Sequence, residues 1–261
     1  MNRDDISGVV QTLCTRHEFL VSLRAGPREK RALVETLDVS RSTVDRAIRE
    51  LQSEGLVERE PRGFRLSAAG HLAVSLTEAI LSVTADLRAA AEVLEPVPAS
   101  APIDGRVVRD AAVAEATQET RYRPLSAVDE LLAEATQIYG FAPLVTRRGS
   151  MDRLAEAVTD RGADAEIVFG DSLAVQLLPS VGEEVRTMVR NGFTPLSTGD
   201  LPFGMVLGET PEGWRVRVIT YGDDGTLCGV LSNDTPEAAT WAWEVYQTYR
   251  RDAVDLSPAF S

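Results

Sequence analysis

In the first quarter of the chain, apolar residues recur every three or four positions, the spacing of amphipathic helices. Pro27 is typical of a first helical turn, Ser40 of an N-cap and Gly55 of the position after a helix end. Two short alternating stretches then flank the turn 60–63 and predict a hairpin. The predicted elements are a helix ending near residues 25–26, helices over 27–37 and 41–54, and strands over 56–59 and 64–66.

Three helices followed by a small hairpin is the plan of a winged helix-turn-helix. The segment LVETLDVSRSTVDRAIRELQSEGLVEREPRGFRLSAAG, residues 33–70, resembles the winged helix-turn-helix of prokaryotic transcription regulators, because the turn, the recognition helix and the wing occur in order. The resemblance covers residues 1–75. It implies that this segment binds double-stranded DNA and places the recognition helix in the major groove.

A long helix and a proline-rich segment follow. Ser67 is positioned to cap a helix over 68–94, and prolines 96, 98 and 102 indicate a linker. We therefore predict domains at 1–75 and 103–261, joined by a linker helix and proline-rich linker over 76–102. An apolar stripe on the helix predicts either a homodimer contact or packing on the C-terminal half, and it is too short to decide between them. The stripe consists of Leu72, Leu76, Ile80, Val83, Leu87, Ala90 and Leu94.

The C-terminal part alternates between strand and helix patterns. Its first half follows a βαβα order, and its second half is an antiparallel meander with a turn at 223–225. The predicted fold is thus a multidomain α+β protein whose C-terminal α/β domain has a mixed sheet. The predicted strands are 111–117, 138–145, 165–169, 193–196, 204–208, 214–221 and 227–232, and the predicted helices are 125–137, 150–161, 182–190 and 236–252.

This C-terminal part also resembles a known family. Two segments within residues 201–253 occur in an order similar to that in the C-terminal domain of archaeal, especially haloarchaeal, winged-helix regulators related to the methanogenesis filament-formation regulator. These segments are LPFGMVLGE and WRVRVITYGDDGTLCGVLSNDTPEAATWAWEVYQTYRRDA. The similarity covers about residues 107–253. It implies a regulatory domain that senses an effector or mediates assembly.

The charge of the chain is uneven. Its 261 residues hold 27 basic and 40 acidic side chains, and Lys30 is the only lysine. Strong acidity with almost no lysine predicts a halophilic, haloarchaeal protein, although a GC-rich genome also replaces lysine by arginine. Residues 1–75 hold 12 basic and 11 acidic side chains, whereas the remainder holds 15 and 29. A segment exempt from the acidic background is expected to face a negative partner, and nucleic acid is the commonest.

Several other classes of protein are disfavoured. We expect no signal peptide and no membrane span, and therefore a cytoplasmic location. Cys14, Cys228, His17 and His71 lack the spacing of metal ligands, so no metal site is expected. The C-terminal half has no histidine and no glycine-rich phosphate loop. We accordingly predict no cofactor and no enzymatic activity.

Residues on the predicted recognition helix are candidates for base contacts. Arginine forms a bidentate contact with guanine, and hydroxyls bond phosphates or bases. The alternative is that Arg46 pairs with Glu50, and Arg49 with Asp45, as exposed helix bridges. The candidates are Ser40, Arg41, Ser42, Thr43, Arg46 and Arg49, with Arg41, Ser42, Thr43 and Arg46 ranked above Arg49.

Basic residues outside that helix are candidates for phosphate contacts. Arg62 lies at the predicted wing tip between Arg59 and Arg65, where the alternative is a solubilising loop charge. At the start of the preceding helix, Arg28, Lys30 and Arg31 suit phosphate clamps, which fix register without reading sequence.

Ligands of open α/β sheets bind beyond the carboxyl ends of strands, which predicts a pocket in the C-terminal domain. Two arginines there suit an anionic small-molecule effector, while the alternative is a set of ordinary loops with Ser150 as an N-cap. The candidates are Thr146, Arg147, Arg148, Ser150, Asp171, Thr198 and Asp200. The aromatic residues of the last helix, Trp241, Trp243, Tyr246 and Tyr249, are more typical of a core or subunit interface.

Together these features predict a sequence-specific DNA-binding transcriptional regulator that forms a homodimer and carries a C-terminal domain that senses a small-molecule ligand or mediates assembly. The principal alternative is a protein-interaction module whose winged helix does not read DNA. A weaker one is an enzyme with a DNA-tethering domain.

Overall fold

The computed structural model describes residues 3–144, 148–171 and 182–260, and the chain divides into two compact units, Met1–Thr84 and Ala85–Ser261. In the first unit, two helices stand where the sequence predicts one before residue 26. The elements of this unit are α1 (Arg3–Thr15), α2 (His17–Leu23), α3 (Lys30–Leu37), α4 (Arg41–Ser53), β1 (Val57–Glu60), β2 (Gly63–Leu66) and the first turns of α5 (Ala68–Leu94).

The predicted start of the second helix at Pro27 is wrong. Helix α3 begins at Lys30, because the backbone of Arg28 is used otherwise. The amide of Arg28 donates to the carbonyl of Phe64 and the amide of Phe64 to the carbonyl of Arg28, both at 2.9 Å. Arg28 therefore pairs with the hairpin as a third, one-residue strand, and Pro27 precedes that bridge.

The core of the first unit lies under α4. One face of this helix, formed by Val44, Ala47, Ile48 and Leu51, is fully buried against the other helices and the hairpin. Helix α4 ends where Gly55 adopts φ +70°, a conformation that glycine reaches without steric cost. The opposite face of α4 is left in solvent.

The long predicted helix is present as α5, and the Ser67 hydroxyl caps it by accepting from the amide of Gly70 at 3.0 Å. Its first turns enter the core of the first unit and its last turns that of the second, so the division between the units falls inside this helix. Most of the predicted apolar stripe is exposed: Leu72 is 68% exposed, Leu76 62%, Ile80 43% and Leu87 55%, whereas Ala90 is buried.

Helix α5 is the one helix, among the residues that the structure describes, that is long and apolar enough to cross a membrane. This result differs from the expectation of no candidate span. Apolar helices of soluble proteins reach the same length and composition.

The second unit is built on an eight-stranded mixed sheet with the order β10-β6-β5-β4-β7-β8-β9-β3. Strands β4, β5 and β6 are parallel to one another, and every other pairing is antiparallel, which confirms the predicted mixed sheet. The strands are β3 (Ala112–Glu115), β4 (Gln137–Ala142), β5 (Asp164–Gly170), β6 (Phe193–Thr198), β7 (Gly204–Thr210), β8 (Gly213–Tyr221), β9 (Leu227–Asn233) and β10 (Val254–Asp255).

Helices cover both faces of this sheet, each over its own apolar core. One face packs against the helices that precede β4, β5 and β6, and the other packs against the C-terminal helix and the last turns of α5. The helices are α6 (Gly105–Val108), α7 (Ser126–Glu134), α8 (Arg148–Thr159), α9 (Gly182–Arg190) and α10 (Pro236–Arg251), with short 3-10 turns at Arg123–Leu125 and Ser257–Ala259.

The proline-rich segment is part of the second unit. Val97, Ala101 and Ile103 pack against the core beneath α10, and the indole of Trp241 donates to the carbonyl of Pro102 at 2.8 Å. This segment therefore packs as part of the domain in place of forming a free linker. Trp241 and Tyr246 are buried as predicted for core residues, but Trp243 on the same helix is exposed.

Candidate nucleic-acid interface

Helix α4 begins with a tight cluster of hydroxyls. The Ser40 hydroxyl accepts from the backbone amide of Thr43 at 3.2 Å, which is the predicted N-cap. It also lies 2.8 Å from the hydroxyls of Ser42 and Thr43. These three hydroxyls are at the solvent-exposed N-terminal end of α4, where free backbone amides and the helix dipole favour a negative group.

The outward face of α4 carries two ion pairs. Arg46 lies 2.8 Å from Glu50, as the alternative reading predicted, and Arg16 from the turn between α1 and α2 lies 2.8 Å from the same carboxylate. These hydrogen bonds, from Arg16 first and Arg46 second, hold the pKa of Glu50 below its usual value. Arg46 is thus engaged within the protein while its side chain remains largely exposed.

The predicted pairing of Arg49 with Asp45 is wrong. Asp45 instead bonds Lys30 of α3 at 2.5 Å, and this hydrogen bond is the main reason that the pKa of Asp45 is lowered. The rule for residues four apart considers one helix only, whereas the stronger partner comes from the neighbouring helix. The sequence assigned Lys30 to phosphate, but the structure pairs its ammonium with Asp45.

Within the described residues of the first unit, four exposed arginines form no ion pair. Two of them, Arg41 and Arg49, lie on the outward face of α4, eight residues or about 12 Å apart along its axis. The other two, Arg59 and Arg62, lie on β1 and in the turn that follows it. Arg49 is therefore as free of ion pairs as Arg41, although the sequence ranked it last among the candidates on α4.

The hairpin is fixed in place by Gly63, which has φ +124°. A Cβ atom at this position would lie 2.2 Å from the carbonyl oxygen of Arg28, so only glycine fits beside the bridge described above. The turn Pro61-Arg62 leads into this glycine, and the hairpin holds Arg62 at an exposed tip.

The remaining basic candidates have partners within the first unit. Arg65 contacts Glu60 at 2.9 Å and Glu58 at 3.2 Å, and Arg31 contacts Glu35 at 3.0 Å. Arg28 donates to the Thr36 hydroxyl at 3.3 Å. These side chains must exchange a bond within the protein for any bond with phosphate.

Three residues of the predicted effector pocket lie at or beyond the carboxyl ends of two neighbouring strands, β5 and β6. Gly170 at the end of β5 is paired with Thr198 at the end of β6, so Asp171 and Asp200 follow neighbouring strand ends. Both carboxylates are exposed. Ser150 lies within α8, which begins at Arg148, so its predicted role as an N-cap is wrong.

Two residues of that pocket, Thr146 and Arg147, lie outside the described residues, and the side chain of Arg148 is likewise not described. The anionic effector therefore stays a prediction. Within the described residues, no group of three or more His, Cys, Asp or Glu side chains is arranged to hold a metal ion.

Two aromatic residues that the sequence did not single out, Tyr139 on β4 and Trp214 on β8, lie next to the exposed ring of Trp243. Both side chains are half-buried, and the sequence of β8 alternates between apolar and basic residues from Trp214 to Val218. That alternation could have identified their shared face, but not their proximity, because they are far apart in sequence.

Comparison with solved structures gives distant matches. TrmBL2, described as an archaeal chromatin protein with a novel mode of DNA binding, is 14% identical with a TM-score of 0.44, and the match covers 91% of each chain. Nuc from Salmonella typhimurium, a phospholipase D family member, is 17% identical with a TM-score of 0.41, and the match covers 56% of this chain and 98% of that one. NucT from Helicobacter pylori is 10% identical with a TM-score of 0.42, covering 56% and 99%.

No curated protein matches the chain. Two protein families do. Residues 3–91 match the HVO_A0261 N-terminal domain, and residues 121–252 match the middle domain of the methanogenesis regulatory protein FilR1. The second match covers half of the chain and confirms the prediction of a regulator. The chain therefore belongs to the family of the methanogenesis regulatory protein FilR1.

Proposed function

We propose that this regulator binds double-stranded DNA in a sequence-specific manner through its first unit. In this proposal α4 enters the major groove and the hairpin β1-β2 lies against the phosphate backbone. The observation that carries it is the set of four exposed arginines that form no ion pair within the described part of the first unit, two on the outward face of α4 and two on the hairpin.

The positions of these arginines assign them different tasks. Arg41 lies in the first turn of α4, the part of a recognition helix that contacts base edges, and a guanidinium there reads guanine through two hydrogen bonds. Arg62 lies at a hairpin tip, from which it reaches phosphate or the minor groove. We therefore assign sequence reading to Arg41 and positioning on the backbone to Arg62.

The hydroxyl cluster at the start of α4 supports the same assignment. Ser42 and Thr43 are held near Ser40 and stand beside Arg41 at an exposed helix N-terminus. A phosphate or a base acceptor at this end gains hydrogen bonds that depend little on net charge. Such contacts suit a salt-rich cytoplasm, which the acidic composition of the chain favours as its environment. Salt weakens the electrostatic part of DNA binding, so contacts that do not depend on net charge gain importance there.

We further propose that the regulator is a homodimer that uses the exposed apolar stripe of α5. A second copy can cover the same stripe by two-fold symmetry, since an isologous contact needs only one self-complementary surface. The stripe is continuous over four helical turns, from Leu72 to Leu87. Apolar burial is also strengthened by excluded salts, so this contact suits the same salt-rich cell.

The DNA-binding proposal is tested by measuring binding to genomic DNA of the host cell. Fragments retained by the full-length protein are labelled, and their affinity is measured by fluorescence anisotropy for the wild type and for Arg41→Ala/Arg49→Ala. We expect the double variant to lose affinity by about tenfold or more. Arg251→Ala, which removes an exposed arginine of α10, is the matched control and should bind as the wild type does.

Two results would overturn the proposal. One is a wild-type protein that retains no DNA fragment, which would favour a protein-interaction module. The other is a double variant that binds as tightly as the wild type, which would move the DNA contact away from α4.

A further inference from the structure

A cleft in the second unit is lined by three aromatic rings from three different elements. Tyr139 of β4 lies with its ring centre 6.1 Å from that of Trp214 on β8 and 5.1 Å from that of Trp243 on α10. The Tyr139 and Trp243 rings meet edge to face, at 78°. The cleft has a volume of about 680 Å³, which lies within the range of small-molecule sites.

The register of the sheet explains why these rings meet. Side chains two residues apart on a strand share a face, and Tyr139 is paired with Leu207 on β7 while Trp214 is paired with Glu209 on the same strand. All four side chains therefore lie on the face that α10 covers. Trp243 closes the cleft from the helix and is 42% exposed, so the cleft opens to solvent.

The same register surrounds Tyr139 with carboxylates. Glu166 on β5 is its direct partner, Asp164 lies one side chain further along that face, and Glu209 lies on the other side. Burial raises the pKa of the Tyr139 phenol, and the charges of Glu166, Asp164 and Glu209 raise it further. The aromatic wall thus lies in a negative electrostatic environment.

Partners of the carboxylates modulate this charge without reversing it. Arg250 of α10 lies 2.9 Å from Glu166, which also accepts from Tyr246. At the rim, Arg215 binds Glu212, and Asp234 lies 2.6 Å from Arg217 and 3.6 Å from Arg215. Within the described residues, the lining of the cleft includes the acidic Glu212 and Asp234 but no lysine, arginine or histidine. An anion would therefore meet no basic side chain in this lining.

Aromatic faces in a negative environment suit one chemical class of ligand. A ring attracts a cation through its quadrupole, most strongly when the ring is that of tryptophan, and a quaternary or methylated ammonium group sheds its water at lower cost than a small metal ion. We propose that the cleft formed by Tyr139, Trp214 and Trp243 binds an organic cation of the quaternary or methylated ammonium class. Its use as an effector site rests on the function proposed above, whereas the binding itself does not.

The cleft differs in place and preference from the pocket that the sequence predicted. The predicted pocket lies beyond the carboxyl ends of β5 and β6 and was assigned an anion. The aromatic cleft lies near the amino end of β4, beneath the turn between β7 and β8. Binding of a cation there requires no contribution from residues 145–147.

The test titrates choline into the full-length protein without DNA and measures binding by calorimetry and tryptophan fluorescence. The control ligand is 3,3-dimethylbutan-1-ol, which has the shape of choline but carries no charge. We expect choline to bind tighter than this alcohol by about tenfold or more, since only the cation gains from the rings and carboxylates.

Matched variants locate the binding. Trp243→Ala should weaken choline binding by about tenfold, and Trp243→Phe by less, because it keeps a ring. Tyr122→Ala, which removes an aromatic side chain that is also 42% exposed, should leave binding unchanged. Glu209→Gln should weaken the binding of choline by about threefold and leave that of the alcohol unchanged.

The inference is overturned if choline shows no binding up to about 50 mM, if both ligands bind equally, or if Trp243→Ala binds choline as the wild type does. A failure of DNA binding would not affect these titrations, so the two proposals fail separately.

Discussion

The ammonium of Lys30 lies 2.5 Å from the carboxylate of Asp45, and this contact joins α3 to the outward face of α4. Asp45 stands four residues from both Arg41 and Arg49, and the charges of both arginines also lower its pKa. The contact occupies the only lysine of the chain and places a carboxylate between the two available arginines of α4. It therefore limits how strongly this face attracts phosphate in general.

The first prediction concerns that carboxylate. Asp45→Asn removes a negative charge from the α4 face and releases Lys30, so nonspecific DNA should bind tighter, by about threefold or more at low salt. A plot of log affinity against log salt should become steeper by about one unit, as expected for one further phosphate contact. Fluorescence anisotropy with a random-sequence duplex measures both.

The control is Glu54→Gln, which removes an exposed carboxylate at the end of α4. An unchanged affinity and slope for Asp45→Asn would show that Lys30 does not reach DNA.

The second prediction concerns acid. Arg16 and Arg46 lower the pKa of Glu50 in the folded state. Their contacts with Glu50 therefore stabilise the protein fully above the ordinary carboxyl pKa of about 4.3. This stabilisation is lost as pH falls through the lowered pKa. Glu50→Gln should reduce the free energy of unfolding at pH 7 by about 0.5–1 kcal/mol. Below the lowered pKa, the difference from the wild type should vanish. Urea unfolding at a series of pH values measures this.

The matched control for that series is Glu35→Gln. Its carboxylate bonds Arg31 on the exposed side of α3, where solvent screens the pair, and less than about 0.5 kcal/mol is expected. Equal losses in the two variants would mean that Arg16 adds nothing to the Glu50 contact.

The third prediction concerns the hairpin. Gly63→Ala places a Cβ against the carbonyl of Arg28 at a φ of +124°. The free energy of unfolding should therefore fall by about 2 kcal/mol or more. Gly8→Ala in α1 is the opposite control, because its Cβ meets open space and alanine favours a helix, so stability should rise by about 0.5–1 kcal/mol. Urea titration compares the two. A Gly63→Ala protein as stable as the wild type would contradict the assigned role of the bridge to Arg28.

These examples show which parts of the fold were accessible from sequence. Helix α4 and the hairpin were predicted because Ser40, Gly55 and Gly63 act on their own neighbourhood. The start of α3 was missed because it depends on the bonds between Arg28 and Phe64, which are distant in sequence. Strand β10 was missed for the same reason, since two residues become a strand only by pairing with β6.

The candidate sites follow the same pattern. Residue types on one helix identified the arginines of α4, but which of them have partners depends on α3 and on the turn before α2. The aromatic cleft depends on sheet order, because β7 lies between β4 and β8 and brings Tyr139 and Trp214 to one face. Neither spacing nor composition encodes that order.

The fourth prediction concerns the exposed stripe of α5. If two copies meet along it, Leu76→Glu places a charge in an apolar contact and should convert a dimer into a monomer. Ser75→Glu adds the same charge to the neighbouring exposed position and should leave the dimer intact. Multi-angle light scattering in molar salt measures the mass. A wild-type protein with the mass of one chain would contradict the proposed dimer.

The central claim is that α4 reads DNA sequence while the hairpin only positions the protein. It is tested most directly by selecting DNA from a pool of random duplexes with the wild type, Arg41→Ala and Arg62→Ala at one salt concentration. The account predicts that the wild type selects an inverted repeat with half-sites about 34 Å apart or a multiple of that, that Arg62→Ala selects the same sequence with weaker binding, and that Arg41→Ala loses preference at specific positions. Selection of one unchanged sequence by all three proteins, or the same relaxed preference in both variants, would contradict it.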